Sequence, residues 1–274
     1  MDSLRVMSFN VRTNMLADGS DAWPHRRHLV ASTIRFHAPD VVGVQEADPF
    51  QLRELEAMLP EYEWVGDPRQ DGDQRGEHVP VGYRIDGLAL VETDTFWLSE
   101  TPAEAGSVGW DGSHPRVATW ARLRDRASGR EFVHLNTHLD HEGERARREG
   151  AALLVERLGA VVDGEPAVVT GDFNCTADER PYEIVAGSRL ADGRRLRDTR
   201  ETASEGHHGP TTTRTDFHDL VPDETIDHVF ATDDLQVRRH AACTDRGDER
   251  YPSDHLPLVV DVEFERDPTD IAIE

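Results

Sequence analysis

Six short apolar, β-branched runs in this chain end on, or begin from, a residue that can hold a metal or move a proton, and they are spread over almost its whole length. Leu4 to Val11 alternates apolar and polar as a strand does and carries Asn10 near its far end. Val41 to Val44 leads into Gln45-Glu46, Phe132-Val133 into Asn136-Thr137-His138, and Ala167-Val168-Val169 into Thr170-Gly171-Asp172-Phe173-Asn174. Ile226-Asp227-His228 opens Val229-Phe230, and Ser253-Asp254-His255 precedes the last apolar run. A strand end can present such a residue to a shared cleft. One cleft that gathers residues from Asn10 to His255 requires one domain, and 274 residues are enough to bury its core.

The remaining pattern sets the architecture. Trp23-Pro24 opens a predicted helix through Phe36, which Pro39 ends, because proline is tolerated in the first turn and forbids continuation at the last. Leu52, Leu55 and Leu59 lie at helical spacing in Pro49 to Leu59, and Glu142 to Val162, rich in Ala, Leu, Glu and Arg, is the clearest helix. Val79 to Arg84, Leu88 to Glu92 and Thr95 to Leu98 read as short strands, and Val117 to Arg124 with Arg130 to His138 flank Ala127-Ser128-Gly129 as a hairpin. Thr225 to Ala231 and Leu256 to Phe264 supply the last strands, and the glycine-rich stretch from Asp67 to His78 reads as a mobile loop. Strands that come in hairpins, interrupted by three helices, do not follow the strict alternation of a doubly wound parallel sheet; they predict an α/β fold of two mixed sheets packed face to face with helices outside. The domain is expected over residues 1–266, with an acidic tail over 267–274.

Charge narrows the partners. The formal charge is −24, from 54 acidic against 30 basic residues, and every basic residue is arginine. Such a surface suits a high-salt cytoplasm, where charges are screened within a few Å. Non-specific nucleic-acid binding draws on cations that release phosphate counterions, and no basic stripe with interleaved aromatics is present, so a binder of long DNA tracts is disfavoured. Met1-Asp2-Ser3-Leu4-Arg5 lacks the basic start and apolar core of a secretory signal, and no apolar run approaches the roughly 18 residues of a membrane span, which predicts a cytoplasmic protein with no obligate protein partner. Cys175 and Cys243 are expected as free thiols.

The ordered set Asn10, Gln45-Glu46, Asn136-Thr137-His138, Gly171-Asp172-Phe173-Asn174, Ile226-Asp227-His228 and Ser253-Asp254-His255 resembles the endonuclease/exonuclease/phosphatase superfamily from about Leu4 to Phe264. The resemblance implies a four-layer α/β/β/α sandwich with its site at one rim. It also implies a divalent cation, Mg²⁺ or Mn²⁺, held by Glu46 with Asn10 and Asp254 beside it. Asp172 would position or activate water, Asn174 and His255 would hold the phosphoryl oxygens, and Asp227 would orient His255. His138 matches a second active-site histidine that an upstream glutamate braces; Arg75-Gly76-Glu77-His78 supplies Glu77 for that role.

Arg116, in Pro115-Arg116-Val117, offers a cationic fork for phosphate, and Trp110 a ring to roof the cleft. Asp140-His141 and His207-His208 are further metal-like pairs that read as exposed. The expected activity is hydrolysis of a phosphodiester or phosphomonoester by in-line attack of water, on a small molecule or a short nucleic acid. The alternatives are a nuclease of short or single-stranded nucleic acid, a hydrolase of phospholipid headgroups or sugar phosphates, and an inactive binding module. The last is disfavoured because six converging polar groups are costly to keep without a reaction to serve.

Overall fold

The computed structural model describes residues 3–264, so the acidic tail expected over 267–274 lies outside the described residues. One large sheet is built on β1 (Ser3–Asn10), which pairs in parallel with β2 (Val41–Gln45) and antiparallel with β15 (Leu258–Phe264). β4 (Val81–Arg84) and then β3 (Tyr62–Val65) extend it beyond β2, and β14 (Leu235–Ala242) with the two-residue β10 (His207–His208) extend it beyond β15. The second large sheet has β5 (Leu88–Trp97), β6 (Val117–Asp125), β7 (Glu131–His138), β8 (Ala167–Asp172), β13 (Asp227–Thr232) and β9 (Leu196–Asp198) in that order. A small hairpin of β11 (Arg214–Thr215) and β12 (Leu220–Val221) stands apart.

The sheets face one another across Val6, Val41, Val81, Leu123, Val168, Val229 and Val260, all buried. On the outer face of the first sheet, Val30 and Ile34 of α1 (Trp23–His37) and Leu52 and Leu55 of α2 (Pro49–Met58) cover Phe9, Val42 and Val44. On the outer face of the second, Leu154 and Leu158 of α3 (Glu144–Val161) and Val185 of α4 (Arg180–Gly187) cover Leu135, Val169 and Phe230. The result is the expected four-layer sandwich, since each helix has one apolar stripe and each sheet two apolar faces to bury.

A polar zipper crosses the central layer. Gln45 Nε2 donates to Asn136 Oδ1 at 2.7 Å, and Asn136 Nδ2 donates to the carbonyls of Val44 at 2.7 Å and Pro80 at 2.9 Å. Thr170 Oγ1 also donates to Asn136 Oδ1, at 3.0 Å, and lies 2.8 Å from His134 Nε2. Gly43 makes this possible, because a Cβ there would stand 2.1 Å from Thr170 Oγ1 and 2.5 Å from Asn136 Oδ1. Buried amides left unpaired are expensive, so the network fixes how the two sheets register across the core.

Several expectations are sharpened. Leu88–Glu92 and Thr95–Leu98 are one strand, with an irregularity between Leu90 and Glu92. The Asp67–His78 stretch is folded back by Asp71 Oδ1, which accepts from the backbone N–H of Asp73, Gln74 and Arg75. No helix among the described residues is long and apolar enough to cross a membrane. Cys175 and Cys243 are both free.

Burial of histidines gives this fold an acid sensitivity. Burial holds His134 down at about 3, and burial aided by His207 does the same to His240. The folded protein therefore refuses protons that the unfolded chain takes up near pH 6.5, so stability is lost as pH falls from 6.5 toward 3, at about 1.4 kcal/mol per pH unit for each such histidine. Urea unfolding at pH 7 and pH 5 should show that loss, and His240→Gln should lessen it; an unchanged pH slope in that variant would remove His240 from the account.

Candidate active site

All six polar strand ends meet at one rim. The parallel pairing of β1 with β2 and of β7 with β8 sends Asn10, Glu46, His138 and Asp172 to the same side. The antiparallel pairing of β13 with β8 places Asp227 directly opposite Asp172, and that of β15 with β1 returns Asp254 and His255 to the exit of β1.

Glu46, His138 and Asp172 each offer a ligand atom within 4.8 Å of the others. Glu46 is aimed there by a left-handed backbone, φ 63°, and its carboxylate accepts from Asn10 Nδ2 and from Thr13 N, each at 3.0 Å. Asn10 Nδ2 also donates to Asp172 Oδ2 at 2.9 Å, while Asn10 Oδ1 accepts from Arg12 N at 2.9 Å. Asn10 thus ties the two carboxylates together. Arg12 and Asn174, at φ 56° and 47°, are also left-handed and also face the cleft. Non-glycine residues held there store strain of order 1–3 kcal/mol, which the surrounding fold must over-determine.

Asp172 Oδ1 accepts from Asn174 N at 2.9 Å, and Asn174 Nδ2 donates to Leu139 O at 3.0 Å. His255 Nδ1 sits 2.8 Å from Asp227 Oδ2, and its Nε2 faces Asp172 Oδ2 at 3.6 Å. His138 Nε2 lies 3.5 Å from the same Asp172 oxygen. Burial pushes Asp172 up to about 6 against the pull of His255, and burial keeps His138 neutral. For His255 burial is outweighed by Asp227, Asp172 and Asp254, which hold its proton up to about 10.

The cleft has a volume of about 480 Å³, and its walls include Arg12, Arg69, Arg116 and Arg214. Each has a carboxylate: Arg69 meets Glu77 at 2.8 Å, Arg116 Asp140 at 3.6 Å, Arg214 Asp254 at 3.1 Å and Arg12 Asp254 at 3.8 Å. The Nε–H groups of Arg116 and Arg214 face Asp140 at 3.6 Å and Glu224 at 3.4 Å, and that of Arg69 is buried without a hydrogen-bond acceptor. Arg214 Nη1 also stands 2.5 Å from His255 Nε2, a hydrogen-bonding contact that ties the guanidinium to the Asp227–His255 pair.

Four residues are placed differently from expectation. Glu77 reaches the cleft but pairs with Arg69 rather than bracing His138, because the segment before β4 brings its carboxylate to that guanidinium; burial pushes Glu77 up to about 7. Asp254 serves Arg214 and Arg12 and belongs to neither carboxylate–histidine cluster of the cleft. Trp110 does not line the cleft; it sits at a left-handed turn where its N–H donates to Glu100. Asp140, expected to be exposed, is buried, and its Oδ1 accepts from the N–H of Glu142 and Gly143 ahead of α3. His207 meets His240 at 2.9 Å, away from the cleft.

The sequence did not point to Arg12, Arg69, Arg214 or His114, the last of which stacks on His141 with ring centroids 5.8 Å apart. It also missed Arg26, fully buried on α1, which donates to the carbonyls of Val11, Arg12 and Pro252 and so fixes the exit of β1 against the segment that carries Asp254. An arginine on the apolar side of a helix was the available signal.

Comparison with known proteins agrees with this geometry. The protein is 36% identical to an endonuclease/exonuclease/phosphatase from Bacteroides vulgatus of known structure, covering 97% of this chain and 100% of that one with a TM-score of 0.91. It is 32% identical to a mannosyl-6-phosphatase from Bacteroides thetaiotaomicron, covering 95% and 100% with a TM-score of 0.88. Nocturnin from Drosophila melanogaster is 26% identical over 310 residues, which is 96% of this chain and 47% of that protein, so the chain spans about half its length. The profile of the Endonuclease/Exonuclease/phosphatase family matches residues 7–255, and the chain belongs to that family of phosphoester hydrolases.

Proposed function

We propose that the protein hydrolyses a small phosphoester, a sugar phosphate or a molecule of similar size, with the aid of Mg²⁺ or Mn²⁺. The observation that carries this is the concentration of four arginines and two carboxylate–histidine clusters in one cleft of about 480 Å³ on a chain of net charge −24. That volume suits a small molecule. Every cleft arginine is already matched to a carboxylate, so the walls carry no surplus charge for a polyanion. The mannosyl-6-phosphatase, similar over the full length of both chains, supports a phosphate monoester.

The oxygen donors of Glu46 and Asp172 with His138 beside them fit a hard divalent cation that keeps several waters. When bound, such a cation neutralises charge on the phosphoryl oxygens. The rest falls to side chains. Asp172 stands where a group that positions water belongs, and the Asn174 N–H and Asn10 amide fix the direction of its carboxylate oxygens. His255, oriented by Asp227, and Arg214 beside it line the wall where a phosphoryl oxygen would sit, and the second N–H of Asn174 Nδ2 adds a donor. Arg69 and Arg116 line the same cleft beside the stacked His114 and His141, and their guanidinium groups would hold a non-bridging oxygen.

Metal-stripped protein should turn over p-nitrophenyl phosphate or a sugar phosphate at less than about a hundredth of the rate restored by Mg²⁺ or Mn²⁺. Undiminished turnover in excess chelator would refute the metal-assisted reading, and no turnover with any divalent cation would favour a binding module.

A further inference from the structure

Away from the cleft, the C-terminal end of α1 meets the segment that leaves β14. His37, Cys243 and Asp245 each offer a ligand atom within 4.8 Å of the others, with His37 Nε2 2.8 Å from Asp245 Oδ2. We propose that these three side chains form a site for a thiophilic divalent cation of the zinc class, distinct from the hard-cation cluster of the cleft.

The donor set points to that class. One imidazole nitrogen, one sulfur and one carboxylate oxygen select zinc-like ions over Mg²⁺, and three protein ligands leave a fourth, tetrahedral position for water. Charge balances, because a thiolate and a carboxylate together neutralise a divalent ion. The neighbouring Arg5 is already neutralised by Asp261 through two contacts, at 2.7 Å and 3.0 Å. The negative end of the α1 dipole also favours a cation beside His37. The ligands are placed by backbone rather than by chance: Arg5 Nη1 donates to His37 O at 3.1 Å, and Cys243 N donates to Pro257 O at 2.8 Å. Cys243 and Asp245 stand two apart on a segment outside any helix, which lets both side chains turn toward α1. An ion can enter, since the His37 and Asp245 side chains are 19% and 27% exposed.

The site has a consequence for the cleft. The segment that starts at Cys243 meets α1, where Gly247 packs on Leu29, and the turn before α1, where Arg250 donates to Ser20 O, and ends at Ser253-Asp254-His255. A cation at its start clamps the segment that carries Asp254 and His255 to α1.

The test uses the full chain, reduced and metal-stripped, in excess Mg²⁺ to occupy the cleft. Titration with Co²⁺ should give a near-ultraviolet thiolate-to-cobalt band saturating at one equivalent and displaced by Zn²⁺. Cys243→Ser should lose the band, Asp245→Asn should weaken cobalt binding at least about tenfold, and Cys175→Ser should retain it. Zn²⁺ should also raise the melting temperature of the parent and not of Cys243→Ser. No thiolate band at saturating Co²⁺, a band that survives Cys243→Ser, or an equal rise in melting temperature in that variant would each overturn the proposal and leave His37–Asp245 as an ion pair alone.

Discussion

Replacing Glu46 by alanine is expected to lower kcat/KM for a small phosphoester on the order of 10²- to 10³-fold or more, the scale seen when one group that stabilises a transition state is removed. The argument is local. Glu46 is the partly buried member of a cluster whose other members, His138 and Asp172, are buried, so on the proposed reading it is the carboxylate through which a cation would enter. The fold should survive. The substitution deletes acceptors for Asn10 Nδ2 and Thr13 N, at about 1 kcal/mol each, and relieves the crowding of two carboxylates, which offsets part of that loss. Glu46→Gln keeps an acceptor and loses the charge, so it should fall nearly as far in rate. Calorimetry should show Mg²⁺ binding weakened in both; equal affinity in variant and parent would place the cation elsewhere.

The second large effect concerns the buried pair Asp227 and His255. Asp227→Asn leaves a side chain that still reaches His255 Nδ1 but no longer favours the charged imidazole, and His255→Ala removes the donor itself. Each should slow turnover by roughly 10²- to 10⁴-fold, with Mg²⁺ affinity largely kept. Because Asp227 acts through His255, the double variant should be about as slow as His255→Ala alone. Multiplicative losses would show that the two residues act independently.

What was readable in the sequence follows from where the information is local. Strand ends such as Asn10, Glu46, Asp172 and Asp227 sit beside apolar runs that announce a strand, so both the element and its terminal residue were visible. The helices from Trp23, Pro49 and Glu144 had proline or long periodic stretches to mark them. β14 was missed because an irregularity between Val237 and Arg239 breaks its alternation, and α4 because eight residues give too few turns for a period to show. Arg12, Arg69 and Arg214 lie in loops or on a two-residue strand, and only the tertiary fold brings them to one cleft. Arg214 illustrates the difficulty: its neighbours in sequence are threonines, while its neighbours in space are Asp254, Glu224 and His255. Glu77 lines the cleft and Asp254 adjoins its Arg214 and Arg12, and both pair with guanidinium groups that no spacing rule could supply.

The central claim is that this cleft serves a small phosphoester rather than a polymer. The most direct measurement is kcat/KM, with saturating Mg²⁺, along a ladder from mannose 6-phosphate and p-nitrophenyl phosphate through bis-p-nitrophenyl phosphate and a dinucleotide to an oligonucleotide and plasmid DNA. With a net charge of −24 on the chain and each cleft arginine already matched to a carboxylate, affinity should not grow with chain length as counterion release would require. The account predicts values that are highest for the small esters and fall toward plasmid. Efficient cleavage of plasmid DNA with the small esters untouched would contradict it.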